Sequence, residues 1–98
     1  MNGTAFPSSP SFPAFVSAGE ALTDMLRTGS DQWSSQVGGS TWNVARVMAR
    51  LGVPSAFAGG VSLDVFGDAL AQATEVAGLD MRFLQRYAKS PLLAIVHE

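Results

Sequence analysis

A Gly38-Gly39 pair stands immediately before a segment with helical periodicity, and Asn43 falls in the first turn of that segment. Backbone N–H groups at a helix start are unpaired and lie at the positive end of the helix dipole, so such a start favours oxygen-rich ligands. Glycines let the backbone come close to a ligand, and a carboxamide both donates and accepts hydrogen bonds, which suits hydroxyl groups. Upstream, Asp24 follows the short apolar run Ala14-Phe15-Val16-Ser17-Ala18 and its exit at Gly19. An ionised carboxylate there could accept from two hydroxyls in strong, charge-assisted bonds, or it could cap a turn.

The elements that must position these residues read as alternating strands and helices. Residues 14–18 fit a buried strand, and residues 32–37 alternate loosely as a short exposed strand after a Thr28–Asp31 turn cluster. A helix is expected from about Thr41 to Leu51, with Ser40 or Thr41 as N-cap and Gly52 and Pro54 as the stop. Val44, Val47, Met48 and Leu51 form its apolar stripe, which we expect to be the buried face. Residues 55–58 read as the next strand, ended by Gly59-Gly60. A second helix is expected from Val65 to Ala77, capped by Asp64, burying Phe66, Ala69, Leu70, Ala73 and Ala77. Residues 81–87 and 92–96 read as two strands joined by a turn at Lys89-Ser90-Pro91. This order implies an α/β sheet with right-handed crossovers.

Composition narrows the function classes. Charged residues make up 14 % of the 98, well below the roughly 25 % of an average domain, so much of the surface is expected to be covered. The net charge of −2 and six scattered Lys and Arg argue for neither nucleic acid nor an anionic membrane as partner. Without cysteine there is no disulfide framework and no thiolate metal site, and the single His97 cannot build a histidine cluster. Residues 1–13, rich in Ser, Pro and Gly, read as a poorly ordered arm. The amino terminus has no basic region followed by an apolar core, so a cytoplasmic location is expected.

Val37-Gly38-Gly39-Ser40-Thr41-Trp42-Asn43-Val44-Ala45 resembles the glycine-rich sugar-binding motif of the PfkB (ribokinase-like) carbohydrate kinases. Residues 16–24 resemble the opening segment of the same family, nearest its fructokinase-like branch, in which a strand delivers an Asp to the sugar; Asp24 is the matching position. Gly60 to Asp68 resembles the next turn of the family, which usually has Gly and Asp where this chain has Ser62 and Leu63. Thr41 stands where the family has a small residue, and the bulky Trp42 could stack on a sugar face or pack beneath a lid.

The resemblance implies an α/β fold for residues 14–98: the amino-terminal part of a ribokinase-like three-layer αβα sandwich, with β-strand lid elements at residues 32–37, 81–87 and 92–96. It implies a substrate-binding set of Asp24, Gly38, Gly39 and Asn43, and assigns Arg82, Arg86 and Lys89 to solvated lid charges. The implied activity is ATP-dependent phosphorylation of a sugar hydroxyl, with Mg2+ arriving with ATP and the small-molecule sugar as partner. The family's general base, an Asp in a Gly-Ala-Gly-Asp motif, has no match here, so the chain alone is expected to be inactive. Self-association, or cover from a missing carboxy-terminal half, is expected. The alternatives are a non-catalytic sugar-binding or regulatory module and a nucleoside kinase of the same superfamily.

Overall fold

The computed structural model describes residues 12–96. Its elements are β1 (Phe15–Ala18), β2 (Leu22–Arg27), β3 (Trp33–Gly38), α1 (Ser40–Arg50), β4 (Ser55–Ser62), α2 (Val65–Val76), β5 (Leu84–Tyr87) and β6 (Leu93–Val96). They form two three-stranded sheets, one in the order β1-β4-β5 and the other in the order β3-β2-β6. The first sheet is wholly parallel. Phe15 to Ala18 register with Ser55 to Ala58, and the second half of β4, Gly59 to Ser62, registers with Leu84 to Tyr87. In the second sheet β2 runs antiparallel to β3 and parallel to β6. The α/β class and the parallel β1–β4 pair, with α1 packed on both strands, are as expected.

The core lies between the parallel sheet and both helices. Phe57 and Val61 point to the same side of β4, where they meet Trp42 and Ala45 of α1 and Leu70 of α2. Trp42 is 3 % exposed, and its indole N–H donates to the Thr74 hydroxyl at 2.9 Å. Thr74, fully buried, donates in turn to the Leu70 carbonyl at 2.6 Å. Tryptophan and threonine buried together in this way leave neither polar atom unsatisfied.

Four expectations need correction. The buried side of α1 is Trp42, Ala45 and the half-buried Ala49; Val44 and Val47 are exposed, and Leu51 is 72 % exposed. Wedging a tryptophan against the sheet turns the valine stripe toward solvent, because one ring fills the space that several aliphatic side chains would. On α2, Leu70 is buried and Ala73 and Ala77 pack on the core as expected, but the other buried residues are Gly67 and Thr74, and Ala69 is exposed. The strand at residue 55 does not stop at Gly59-Gly60. The Gly19 carbonyl presses on one glycine and the Tyr87 ring on the other, so only residues without a side chain can continue it. Residues 81–87 and 92–96 are not a hairpin either: β5 joins the parallel sheet and β6 the other. Residues 1–11 of the expected arm lie outside the described residues; Phe12, at its end, lies under the Arg82 guanidinium, 5.1 Å from ring centroid to carbon. No helix among the described residues is long and apolar enough to cross a membrane.

The entry to α2 is closely fitted. Asp64 caps it, its carboxylate accepting from the Phe66 and Gly67 N–H groups at 3.0 and 3.1 Å and from the Ser62 hydroxyl at 2.6 Å. The Ser62 bond, followed by the two amides, holds the Asp64 carboxyl below its usual 3.8. Asp80 is held low by the Arg82 backbone N–H and then by its guanidinium. Gly67 approaches so closely that a Cβ would stand 1.7 Å from the Ser62 carbonyl oxygen.

Two predictions follow from this entry. Gly67→Ala forces α2 away from the end of β4. Overpacking of this kind costs ~1–3 kcal/mol, and the approach here puts the change at the upper end despite the better helix propensity of Ala. A fall of roughly 12–24 °C in the thermal midpoint is expected by circular dichroism; an unchanged midpoint would show that the helix entry is loose. Because folding lowers the pKa of Asp64 and Asp80, their stabilisation is present above the usual carboxylate range and is lost as pH falls through the folded values. Urea midpoints should therefore drop as the pH is lowered through and below the ordinary carboxylate range, and Asp64→Asn should flatten that drop. An equal acid response in the variant would remove Asp64 from the account.

Candidate sugar-binding site

β2 and β3 are joined by a tight turn in which the Arg27 guanidinium donates to the carbonyls of Gly29 and Ser30, both at 3.0 Å. The hairpin brings Leu22 opposite Gly38 and Asp24 opposite Gln36. The half-buried Asp24 carboxylate leans over Gly38: a Cβ on that glycine would lie 2.7 Å from Oδ2. Any other residue at 38 would push the carboxylate away. Asp24 has no hydrogen-bond or ion-pair partner among the described residues.

Directly after Gly38 the chain turns into α1. The N-cap is Gly39, neither Ser40 nor Thr41 as the sequence suggested, and no side chain caps the helix. The reason is steric. Gly39 adopts φ +103°, and a Cβ there would meet the Glu20 carbonyl oxygen at 2.8 Å, where the chain crosses from β1 to β2. The Ser and Thr side chains follow this turn and are already helical. The Asn43 N–H donates to the Gly39 carbonyl at 2.8 Å, closing the first helical turn. The amides before it carry no side-chain cap, which leaves the start of α1 able to receive an oxygen ligand beside Asp24.

Asp24, Gly38 and Gly39 are thus brought together where β1 leaves the parallel sheet, on the carboxyl side at which open α/β sheets bind ligands. Asn43 stands one turn along α1, but its side-chain oxygen is turned along the helix, accepting from Arg46 Nε at 3.4 Å. It makes no hydrogen bond to Asp24. Trp42 packs in the core and is not available to stack on a sugar.

Other assignments also change with the geometry. Arg86 is not a solvated lid charge: from β5 it donates to the Ser62 carbonyl at 2.9 Å and pairs with Asp68 of α2 at 2.6 Å. Arg82 pairs with Asp80 at 3.0 Å. The Ser62-Leu63 departure leaves a well-formed turn, because the Ser62 hydroxyl is what holds Asp64. Sequence reasoning missed Ser17, whose hydroxyl donates to the Thr41 carbonyl at 2.8 Å and fixes the first turn of α1 to β1. A lone Ser in an apolar run carries no signal of that contact.

The chain was compared with known proteins. The pfkB family carbohydrate kinase profile matches residues 15–98. A fructokinase of Rhizobium leguminosarum bv. trifolii is 35 % identical over 66 residues, covering 63 % of this chain and 20 % of that protein. The crystal structure of a Xylella fastidiosa fructokinase with bound ATP superposes with a TM-score of 0.77 at 34 % identity, over 83 % of this chain and 26 % of that one. An aminoimidazole riboside kinase from Salmonella enterica, complexed with aminoimidazole riboside and an ATP analogue, gives 0.78 at 28 % identity, over 84 % and 28 %. The chain therefore spans between a fifth and a third of the length of these relatives. The profile match spans most of the chain and agrees with its α/β architecture: this chain belongs to the pfkB family of carbohydrate kinases, on its fructokinase-like side.

Proposed function

We propose that residues 14–98 are the sugar-binding, amino-terminal part of an ATP-dependent, fructokinase-like kinase that phosphorylates a sugar hydroxyl. The observation that carries this reading is the unpaired, half-buried Asp24 carboxylate over Gly38, beside the uncapped start of α1. In this proposal Asp24 accepts from two sugar hydroxyls, Gly38 and Gly39 let the ring approach the main chain, and Asn43 adds a donor once its carboxamide turns from Arg46. ATP, its Mg2+ and the Asp that deprotonates the attacking hydroxyl belong to the family segment that this chain does not include. That segment would also supply the donors that stabilise the transferring phosphoryl group. The exposed Leu93, Ile95 and Val96 of β6 support the further reading that the second sheet is covered by additional polypeptide or another copy.

A nucleoside-type acceptor is the second reading, favoured by the likeness to the riboside kinase. A ligand panel of hexoses and ribosides separates the two. In the full-length kinase that this proposal implies, Asp24→Ala should weaken fructose binding by about 2–3 kcal/mol, the scale of hydrogen bonds to a charged group. ATP binding should hardly change. Calorimetry giving unchanged sugar affinity and weaker ATP binding would overturn the assignment. The 98-residue chain alone is expected to release no ADP with any sugar in a coupled assay; sugar-dependent turnover abolished by Asp24→Ala would place the chemistry within it.

A further inference from the structure

On the side of α1 facing α2, a cavity of about 420 Å3 is lined by Trp42, Arg46, Arg50, Ala73, Val76 and Ala77. Its size is that of a small-molecule site, and it lies apart from Asp24 and Gly38. The walls are an indole edge and aliphatic side chains from α2; the polar groups are two guanidiniums. Arg46 and Arg50 are one helical turn apart and so present neighbouring charges. Arg46 is held over the Trp42 ring, 5.9 Å from its centroid, with Nε donated to Asn43. Neither arginine forms an ion pair among the described residues. No acid on either helix lines the cavity: α1 has none, Asp68 of α2 is paired with Arg86, and Glu75 stands outside.

We propose that this cavity binds a small organic carboxylate with a flat or branched apolar body. The body lies against Ala73 and Ala77, which pack on the core, and the carboxylate sits between Arg46 and Arg50. Two adjacent guanidiniums, that of Arg46 held over the Trp42 ring, fit a carboxylate's two oxygens, and two cations without ion pairs among the described residues match no neutral ligand as well. A bare inorganic anion would leave the wall unused. A second copy of α1 would bring arginines against arginines. The proposal does not depend on the reading of Asp24.

The Trp33→Phe variant leaves Trp42 as the sole indole, so its emission reports on the cavity. The 98-residue chain is titrated with 3-phenylpropionate, with its neutral amide 3-phenylpropionamide, and with inorganic phosphate. A saturable change with the carboxylate is expected, with the amide and phosphate each at least about 10-fold weaker. Arg50→Ala should weaken the carboxylate about 10-fold without altering the far-ultraviolet circular dichroism. The amide comparison needs no variant and stands even if Arg50→Ala unfolds. The proposal is overturned by an amide as tight as the acid, by phosphate as tight as the acid, or by an Arg50 variant that folds and binds normally. It is equally overturned by the absence of saturation below about 10 mM, or by a signal that follows protein rather than ligand concentration.

Discussion

The hydrogen bond from the Trp42 indole to the Thr74 hydroxyl is the constraint from which most of this molecule follows. It joins the two helices inside the core, and a polar pair so deeply buried tolerates little displacement, since either partner alone would be left unsatisfied. Trp42 is the third residue of α1, so the bond fixes the start of that helix. The start of α1 in turn fixes Gly39 and Gly38, and Gly38 is the floor beneath Asp24. A contact inside the core therefore sets where the Asp24 carboxylate lies. Ser17 reinforces it from the sheet side through the Thr41 carbonyl.

α2 is clamped at its beginning as well. Asp64 closes its first turn, Gly67 lets it approach the end of β4, and Arg86 reaches from β5 to both the Ser62 carbonyl and Asp68. The segment between the parallel sheet and α2 is thus tied to three elements. The hydroxyl of Ser62 adds to this segment a bond that a glycine in its place could not make.

Much of this was legible in the residues. The Asp64 cap and the strand–helix alternation follow from local chemistry, which a sequence carries explicitly, whereas the Gly39 cap of α1 is set by the Glu20 carbonyl from another part of the chain. Gly38 lies against the Asp24 carboxylate, a proximity that the family resemblance implied and no local pattern of residues states. The misreadings mostly concern which surface or strand an element meets, although the parallel β1–β4 pair was read correctly across forty positions. The apolar stripe Val44, Val47 and Leu51 has a clean helical period yet faces water, because periodicity locates a face and not what lies against it. Trp42 and Thr74 carry no pairwise signal across 32 positions. β5 and β6 looked like consecutive hairpin strands because nothing local says that neighbouring strands go to different sheets. Asn43 kept its place but not its orientation, since Arg46 is an equally good partner one turn away.

The pairing of β2 with β6 carries a consequence for how the chain is made. Thr23 registers with Leu93, so the central strand of the second sheet waits for a partner roughly seventy residues downstream. At translation rates of ~5–20 residues per second, the stretch from the end of β3 to the end of β6 leaves the β2–β3 hairpin without β6 for roughly 3–12 s. During that interval one edge of β2 presents free N–H and carbonyl groups, next to a carboxylate that already has its glycine floor. A nascent chain that lingers in this state, through slow codons or a ribosomal pause before residue 93, has its longest-lived sticky edge beside its candidate binding residues. The kinetics of synthesis, as much as the stability of the finished fold, then determine how much of this protein reaches its native pairing.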